Sequence, residues 1–270
     1  MYLILFQQNH CKMAKNNKNI VQPDLFGQDF TPEEIERNKA NDEKTIEKIK
    51  FSVVYQPVSL FSLKESNSTN SGAKSILLPS PYSIKMALLN QAISLGDLEK
   101  LEGNKYEFKY IRNCKIDYYI SSENVFSVNN SFIKILKPER DVPGFQRTVS
   151  FREFIFIKGN IEFIISDITE KQAEYLKRLL ANINYFGKRG CFFQFIKFDN
   201  QPREANVSVF DIKKIGAGIL QEYDDFPTDT KFENVSNFSE KTVKRKKNIM
   251  LFPLRLAGTS KGFSIYKPLS

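Results

Sequence analysis

The run Ser80-Pro81-Tyr82-Ser83-Ile84-Lys85 starts a helix, and that start constrains what can stand on either side of it. A serine hydroxyl can accept an orphan amide of the first turn; proline next to it needs no amide hydrogen and already has a helical φ. Ile84, Ala87, Leu88, Gln91, Ala92 and Leu95 follow at three-and-four spacing, so one mostly apolar face turns to a core. Gly96 can take the left-handed conformation that closes a helix. Tyr82 and Lys85 stand in the first turn beside backbone amides, an arrangement that can hold a phosphate.

Strand-forming sequence surrounds this helix. Residues 51–63 include Phe51, Val53, Val54, Tyr55, Val58, Leu60, Phe61 and Leu63, with Pro57 calling for a bulge or an edge. Residues 64–74 are rich in Ser, Asn and Gly and read as a loop. The alternation of residues 105–111, 115–121 and 124–136 predicts strands. Residues 151–157 and 161–166 flank Lys158-Gly159-Asn160, which is hairpin chemistry. A second helix starts at Asp167 or Thr169, where Glu170 or Gln172 completes a capping box, and runs to about Ile183. Ala173, Leu176, Leu179, Leu180 and Ile183 form its apolar face. A further strand fits 205–212. Residues 221–240, with six acids and one lysine, read as a loop, and residues 241–270 carry eight Lys or Arg and no acid.

The order of these elements predicts an α+β fold close to β-α-β-β-α-β, the ferredoxin-like or RNA-recognition-motif (RRM-like) plan, over residues 51–200. Two helices on one face of such a sheet leave the other face for a ligand. Residues 201–270 form a β-rich, basic C-terminal part. Residues 1–50 read as an extension. Thr31-Pro32-Glu33-Glu34 starts a helix there, but only Ile35, Ala40, Ile46 and Ile49 are apolar points along it. Such a helix is marginal alone, so Phe26 and Phe30 just before it are candidate partner-binding anchors.

Composition narrows the function. A formal charge of +9 and a pI near 9.2 point to a polyanion partner. The three cysteines, Cys11, Cys114 and Cys191, are far apart and support neither a disulfide framework nor a zinc site; they read as reduced thiols of a cytoplasmic protein. No apolar run approaches the ~20 residues of a membrane span. The single histidine, His10, lies outside the compact region, so no Ser-His-Asp or Cys-His arrangement can be assembled. No Walker loop and no metal-ligand spacing is present. The expectation is therefore binding rather than catalysis, with no cofactor and no metal.

Basic and aromatic residues supply the candidate RNA-binding sites. Gly187-Lys188-Arg189-Gly190 sets two cations between glycines directly after a helix, beside Tyr185 and Phe186. Cations neutralise phosphate, glycines permit close backbone approach, and aromatic rings stack bases. Gln146, Arg147 and Arg152 form a second cluster, and Lys244-Arg245-Lys246-Lys247 a third. Gly258-Thr259-Ser260-Lys261-Gly262 is a glycine loop between two late strands, with Lys261 at its tip.

Four of these stretches, in this order, resemble the fifth CRISPR-associated protein family of the repeat-associated RNA-binding superfamily. They are a first strand, the helix lead-in Leu78-Pro79-Ser80-Pro81-Tyr82-Ser83-Ile84-Lys85, Arg152-Glu153-Phe154-Ile155 opening a central strand, and Tyr185-Phe186-Gly187-Lys188-Arg189-Gly190-Cys191. The resemblance covers roughly residues 51–200. It implies a ferredoxin-like domain with a protruding β-hairpin, or thumb, and a β-rich C-terminal part. It also implies a role in a type I CRISPR surveillance complex (Cascade): holding the 5′ repeat-derived handle of the guide RNA and contacting the backbone and large subunits, with target DNA nearby and no membrane. Most members of that family have no catalytic role. One subtype cuts precursor RNA with a tyrosine, lysine and histidine site, and the matching region here has no histidine. The alternatives are a repeat endoribonuclease like the sixth CRISPR-associated family and a scaffold that binds only proteins.

Overall fold

β1 (Ile49–Pro57) is the strand against which the rest of the chain is arranged. In this computed structural model, residues 47–68, 72–139, 143–213, 216–235 and 244–269 are described. Within them, Lys48 onward forms one unit. Phe26, Phe30 and the predicted helix after Thr31 lie outside the described residues.

β1 sends Phe51, Val53 and Tyr55 into the core, as period-two alternation requires. It pairs antiparallel with β6 (Ile161–Ile168) on one side and β7 (Phe193–Asp199) on the other. β3 (Lys115–Tyr119) pairs antiparallel with β6, giving a four-stranded sheet of order β3-β6-β1-β7. α1 (Pro81–Ser94) begins where the sequence places it, with Ser80 Oγ accepting from Ser83 N. Ile84, Leu88, Leu89 and Ala92 are its buried apolar side chains, while Gln91 is half-buried and Leu95 exposed. The contact face is therefore rotated slightly from the one the spacing predicts. Gly96, at φ +85°, follows the helix end.

α4 (Glu170–Leu180) has Thr169 as its cap and Gln172 completing a full capping box. Its C-terminal carbonyl at Leu180 accepts from the Tyr55 hydroxyl at 2.7 Å, which fastens the helix to β1. α2 (Leu98–Leu101) and α3 (Tyr106–Asn113) lie between α1 and β3. α3 corrects the strand expected over 105–111. Its buried residues, Phe108 and Ile111, are three apart, and Tyr106 is exposed, so the alternation of aromatic residues is not an alternation of burial.

A second sheet has the order β11-β12-β4-β5-β2. Its members are β2 (Gly72–Ala73), β4 (Val125–Pro138), β5 (Phe145–Lys158), β11 (Leu254–Ser260) and β12 (Phe263–Pro268). The hairpin expected around Gly159 does not form. β5 and β6 belong to different sheets, and the chain crosses between them at Lys158-Gly159-Asn160. Gly159 sits at φ +93°, where an added Cβ would lie 2.7 Å from Asn124 Nδ2. That amide donates to the carbonyls of Lys158 and Asn160 and so clamps the crossing. The hairpin that does form is β4–β5, paired from Val125↔Lys158 to Pro138↔Phe145.

The third sheet, β8-β10-β9, corrects the acidic loop expected over 221–240. β8 is Ser208–Val209, a short remnant of the strand expected over 205–212, β9 is Ile219–Asp225 and β10 is Lys246–Phe252; α5 (Phe232–Val235) follows β9. Acidic and basic runs that look unrelated in sequence lie in register, Asp225↔Lys246 and Asp224↔Lys247. Arg245 reaches Asp224 at 2.9 Å and Lys247 reaches Glu222 at 2.7 Å. Tyr223 points inward, packing its ring on Tyr118 and Phe252, so the three sheets share one core.

Candidate nucleic-acid interface

A cleft of about 400 Å³ opens at the start of α1. Its walls come from the loop after β1 (Lys64, Glu65, Ser66), the first turn of α1 (Tyr82, Ser83, Met86), the turn after α4 (Gly187, Lys188), and Glu222, Asp224 and Arg245 from the third sheet. Tyr82, Lys188 and Arg245 come from three separate sequence clusters, and the fold brings them together here. The Arg245 guanidinium lies 4.2 Å from the centre of the Tyr82 ring, and Phe226 meets that ring edge-on from elsewhere. A second hollow adjoins the first through Ser83, Met86 and Gly187 and continues to Asn90, Gln91, Asn184 and Tyr185. Polar and aromatic side chains thus follow one side of α1 over nearly its whole length.

The cleft also contains acids that sequence reading overlooked. Glu222 and Asp224 are held by Lys247 and Arg245, and Ser66 Oγ donates to Asp224 at 3.2 Å. Glu65 has no side-chain hydrogen bond or ion pair among the described residues. Burial pushes its carboxyl above the usual range; Lys74 pulls it back, and Glu153 and Glu222 push it further up. The signal that could have revealed this was the match between the acidic 221–225 run and the basic 244–247 run.

Two of the proposed RNA-binding residues sit in the core instead. Lys85 is 2% exposed, with Nζ 2.8 Å from Asp225 and 3.0 Å from the Arg112 carbonyl it donates to. An ammonium so enclosed cannot reach a phosphate outside. Phe186 is 0% exposed and packs edge-on against Tyr55, Phe163 and Phe193, so its ring cannot stack a base. The glycines beside Lys188 and Arg189 differ from each other. An added Cβ at Gly187 (φ +73°) would come 2.6 Å from Leu63 Cδ2, so this glycine serves packing, whereas Gly190 (φ +98°) faces open space. Lys188 and Arg189 are exposed between them, and Tyr185 is half-buried.

The other cations lie elsewhere. Gln146 and Arg147 stand in the outer half of the β4–β5 hairpin. By strand alternation Arg147 shares a face with Phe145, Val149, Phe132 and Leu136, while Gln146 and Arg152 share the opposite face, so the cluster divides. Phe132, Leu136 and Phe145 on the first face are 75%, 64% and 69% exposed. Arg152 donates to the Phe151 carbonyl at 3.0 Å. Lys244 and Lys246 are exposed beside Arg245, and Lys261 stands exposed in the turn between β11 and β12.

The outer face of the four-stranded sheet is only in part open. Tyr119, Glu162, Val54 and Lys197 form a row across its four strands, and Arg203 lies over the Tyr119 ring at 5.0 Å. The connection from Asp199 to Val207 is tied down by Glu204 to Lys50 and by the Asn206 amide to Ile120, and with Asp199 and Arg203 it walls a hollow of about 240 Å³ that the row lines.

No family model matches the chain. A CRISPR-associated protein Cas5 from Archaeoglobus fulgidus is 25% identical over 197 residues, spanning 68% of this chain and 82% of that protein. A solved CRISPR protein from Archaeoglobus fulgidus aligns with a TM-score of 0.35 at 11% identity, over 82% of this chain and 92% of that one. A chain of a Csm3–Csm4 subcomplex from a type III-A CRISPR-Cas interference complex aligns with a TM-score of 0.37 at 13% identity, over 82% and 100%. The sequence similarity is thus to a CRISPR-associated protein of the Cas5 type. That is the family which the stretches Leu78–Lys85, Arg152–Ile155 and Tyr185–Cys191 resemble.

Proposed function

We propose that this chain is a non-catalytic RNA-binding subunit of a type I CRISPR surveillance complex, holding the 5′ handle of the guide RNA and contacting the backbone and large subunits in the cytoplasm. The observation that carries this reading is the cleft, where Tyr82, Lys188 and Arg245 meet in a chain similar to Cas5. Aromatic and cationic groups in one concavity suit single-stranded RNA, whose bases stack and whose phosphates need neutralising. Tyr185 continues that surface along α1, and Arg189 stands exposed next to Lys188, whereas strand alternation turns Lys244 and Lys246 to the other face from Arg245.

A ferredoxin-like core is part of the proposal. β1, α1, β3, β6, α4 and β7 follow one another as β-α-β-β-α-β, and neighbouring strands of their sheet are all antiparallel. The β4–β5 hairpin is then the thumb, inserted between β3 and β6, and residues 201–270 are the C-terminal part. Absence of catalysis is the expectation from a sequence whose one histidine is His10.

The test is purification of the tagged chain from cells that express a CRISPR array, with and without RNase. Recovery of RNA with a repeat-derived 5′ end is expected; recovery of partner proteins unaffected by RNase, with no RNA, contradicts the reading. Incubated with labelled repeat RNA, the purified chain should leave it intact with or without metal. A product cut at a fixed position and lost on a Tyr or Lys substitution would establish the endoribonuclease instead.

A further inference from the structure

We propose that the cleft takes a single guanine base, held by the Glu65 carboxylate, with the attached phosphate at Lys188. This deepens the RNA-binding reading and rests on it. A cleft built only to hold phosphate would not have three carboxylates in its wall, since like charge repels the ligand. Glu65, Glu222 and Asp224 line it nonetheless. Asp224 and Glu222 are occupied by Arg245 and Lys247. Glu65 is left as the acceptor without a hydrogen-bond partner among the described residues. What suits such a site is a flat group with N–H donors on one edge and a negative charge at the other end.

Guanine fits that description. Its Watson–Crick edge presents two adjacent donors, N1–H and the N2 amine, which match the two oxygens of one carboxylate. Adenine and cytosine pair their amine with an acceptor, and uracil offers a single N–H between two carbonyls. The Tyr82–Arg245 pair supplies a planar wall on which a base can stack, as rings and guanidinium planes commonly do. Lys188, exposed where the cleft opens, is placed for the phosphate. A volume of about 400 Å³ lies within the range of ligand clefts. The raised pKa of Glu65 is consistent with a carboxylate that gains from a donor arriving beside it.

The same chemistry is offered by a guanine in RNA and by a free guanine nucleotide. The test uses the full chain and labelled octauridine with one central residue replaced by guanosine or by inosine, which lacks the N2 amine. The guanosine octamer should bind roughly five- to hundred-fold more tightly than the inosine one, the range for a good bidentate pair. Glu65→Ala should abolish the difference between the guanosine and inosine octamers; Lys188→Ala should weaken all octamers alike. The thermal transition of each variant confirms folding. Equal binding of guanosine and inosine octamers, or a preference that survives Glu65→Ala, overturns the proposal and leaves the RNA-binding reading intact. If no octamer binds, titration with GMP against IMP decides. A Glu65-dependent preference for GMP keeps the guanine site but assigns it to free nucleotide and ends the RNA reading; no preference ends both. Glu65-dependent binding of arginine amide, with no guanine preference, would make the cleft a socket for a partner protein's arginine and overturn the proposal.

Discussion

Lys85 stands in the first turn of α1 with its ammonium between Asp225 and the Arg112 carbonyl, and Asp225 ends β9. It therefore connects the first helix to the third sheet from inside. Removing one partner of a buried pair leaves the other charge uncompensated, at a cost of about 3–5 kcal/mol. Lys85→Ala is expected to lose stability of that order in urea titration, while RNA affinity per folded molecule stays unchanged. A loss of RNA affinity without a loss of stability would return Lys85 to the binding surface. Asp97 makes the converse point for pH. Burial acts to raise its carboxyl, but hydrogen bonds from Lys100 and Arg178 outweigh that, and the result is a value below the usual range. Its folded pKa is thus lower than its unfolded one. The stability it contributes is present above the ordinary Asp pKa and is lost as pH falls through the folded value. Thermal melts of Asp97→Asn and the parent chain should therefore differ at neutral pH by about 1–3 kcal/mol, from charge-assisted bonds lost, and should converge in acid.

At the scale of elements, the β4–β5 hairpin and the α1 lead-in show what the sequence made legible and what it hid. Helix starts were legible because capping is local: Ser80 with Pro81, and Thr169 with Gln172, announce themselves within a few residues. Strand pairing was not, because register depends on residues far away. Gly159 looks like a hairpin turn, yet the neighbours of β5 and β6 lie in different sheets. The acidic 221–225 run looked like solvated loop until its partner at 244–247 was known. The same distance problem hid the cleft: its residues run from Ser62 to Arg245, and no local motif spans them. The hairpin carries its own expectation. Near its base the inner face packs in the core through Phe126, Ile155 and Ile157. Further out that face is uncovered, exposing Phe132, Leu136 and Phe145. Exposed apolar surface of this kind marks interaction sites. Replacing Leu136 and Phe145 by Ser should barely move the thermal transition but reduce incorporation into the multi-subunit complex. Normal incorporation would show that the hairpin tip carries no contact.

For the whole molecule, the charge of +9 is not spread as free surface cation. Arg245 and Lys247 are partnered by acids within the fold, and Lys85 is buried, so the basic C-terminal run counts for less than its composition suggests. Lys188 and Arg189 are exposed next to the cleft and are the cations on which the RNA-binding account most depends. The N-terminal extension belongs to the account as a proposal: removing residues 1–46 should leave the transition of the remaining chain nearly unchanged and lower its entry into the complex. Collapse of the remainder would instead make those residues part of its core.

The measurement that bears most directly on the central claim is the salt dependence of repeat-RNA affinity, compared between the parent chain and the Lys188→Ala/Arg189→Ala double variant. Each phosphate contact to a single strand contributes a slope of about −0.7 in log affinity against log salt, so two lost contacts should flatten it by about 1.4. Weaker binding with that shallower slope is the expected result. Weaker or equal binding with an unchanged slope would mean that neither cation meets a phosphate, and the RNA site would lie elsewhere on the molecule.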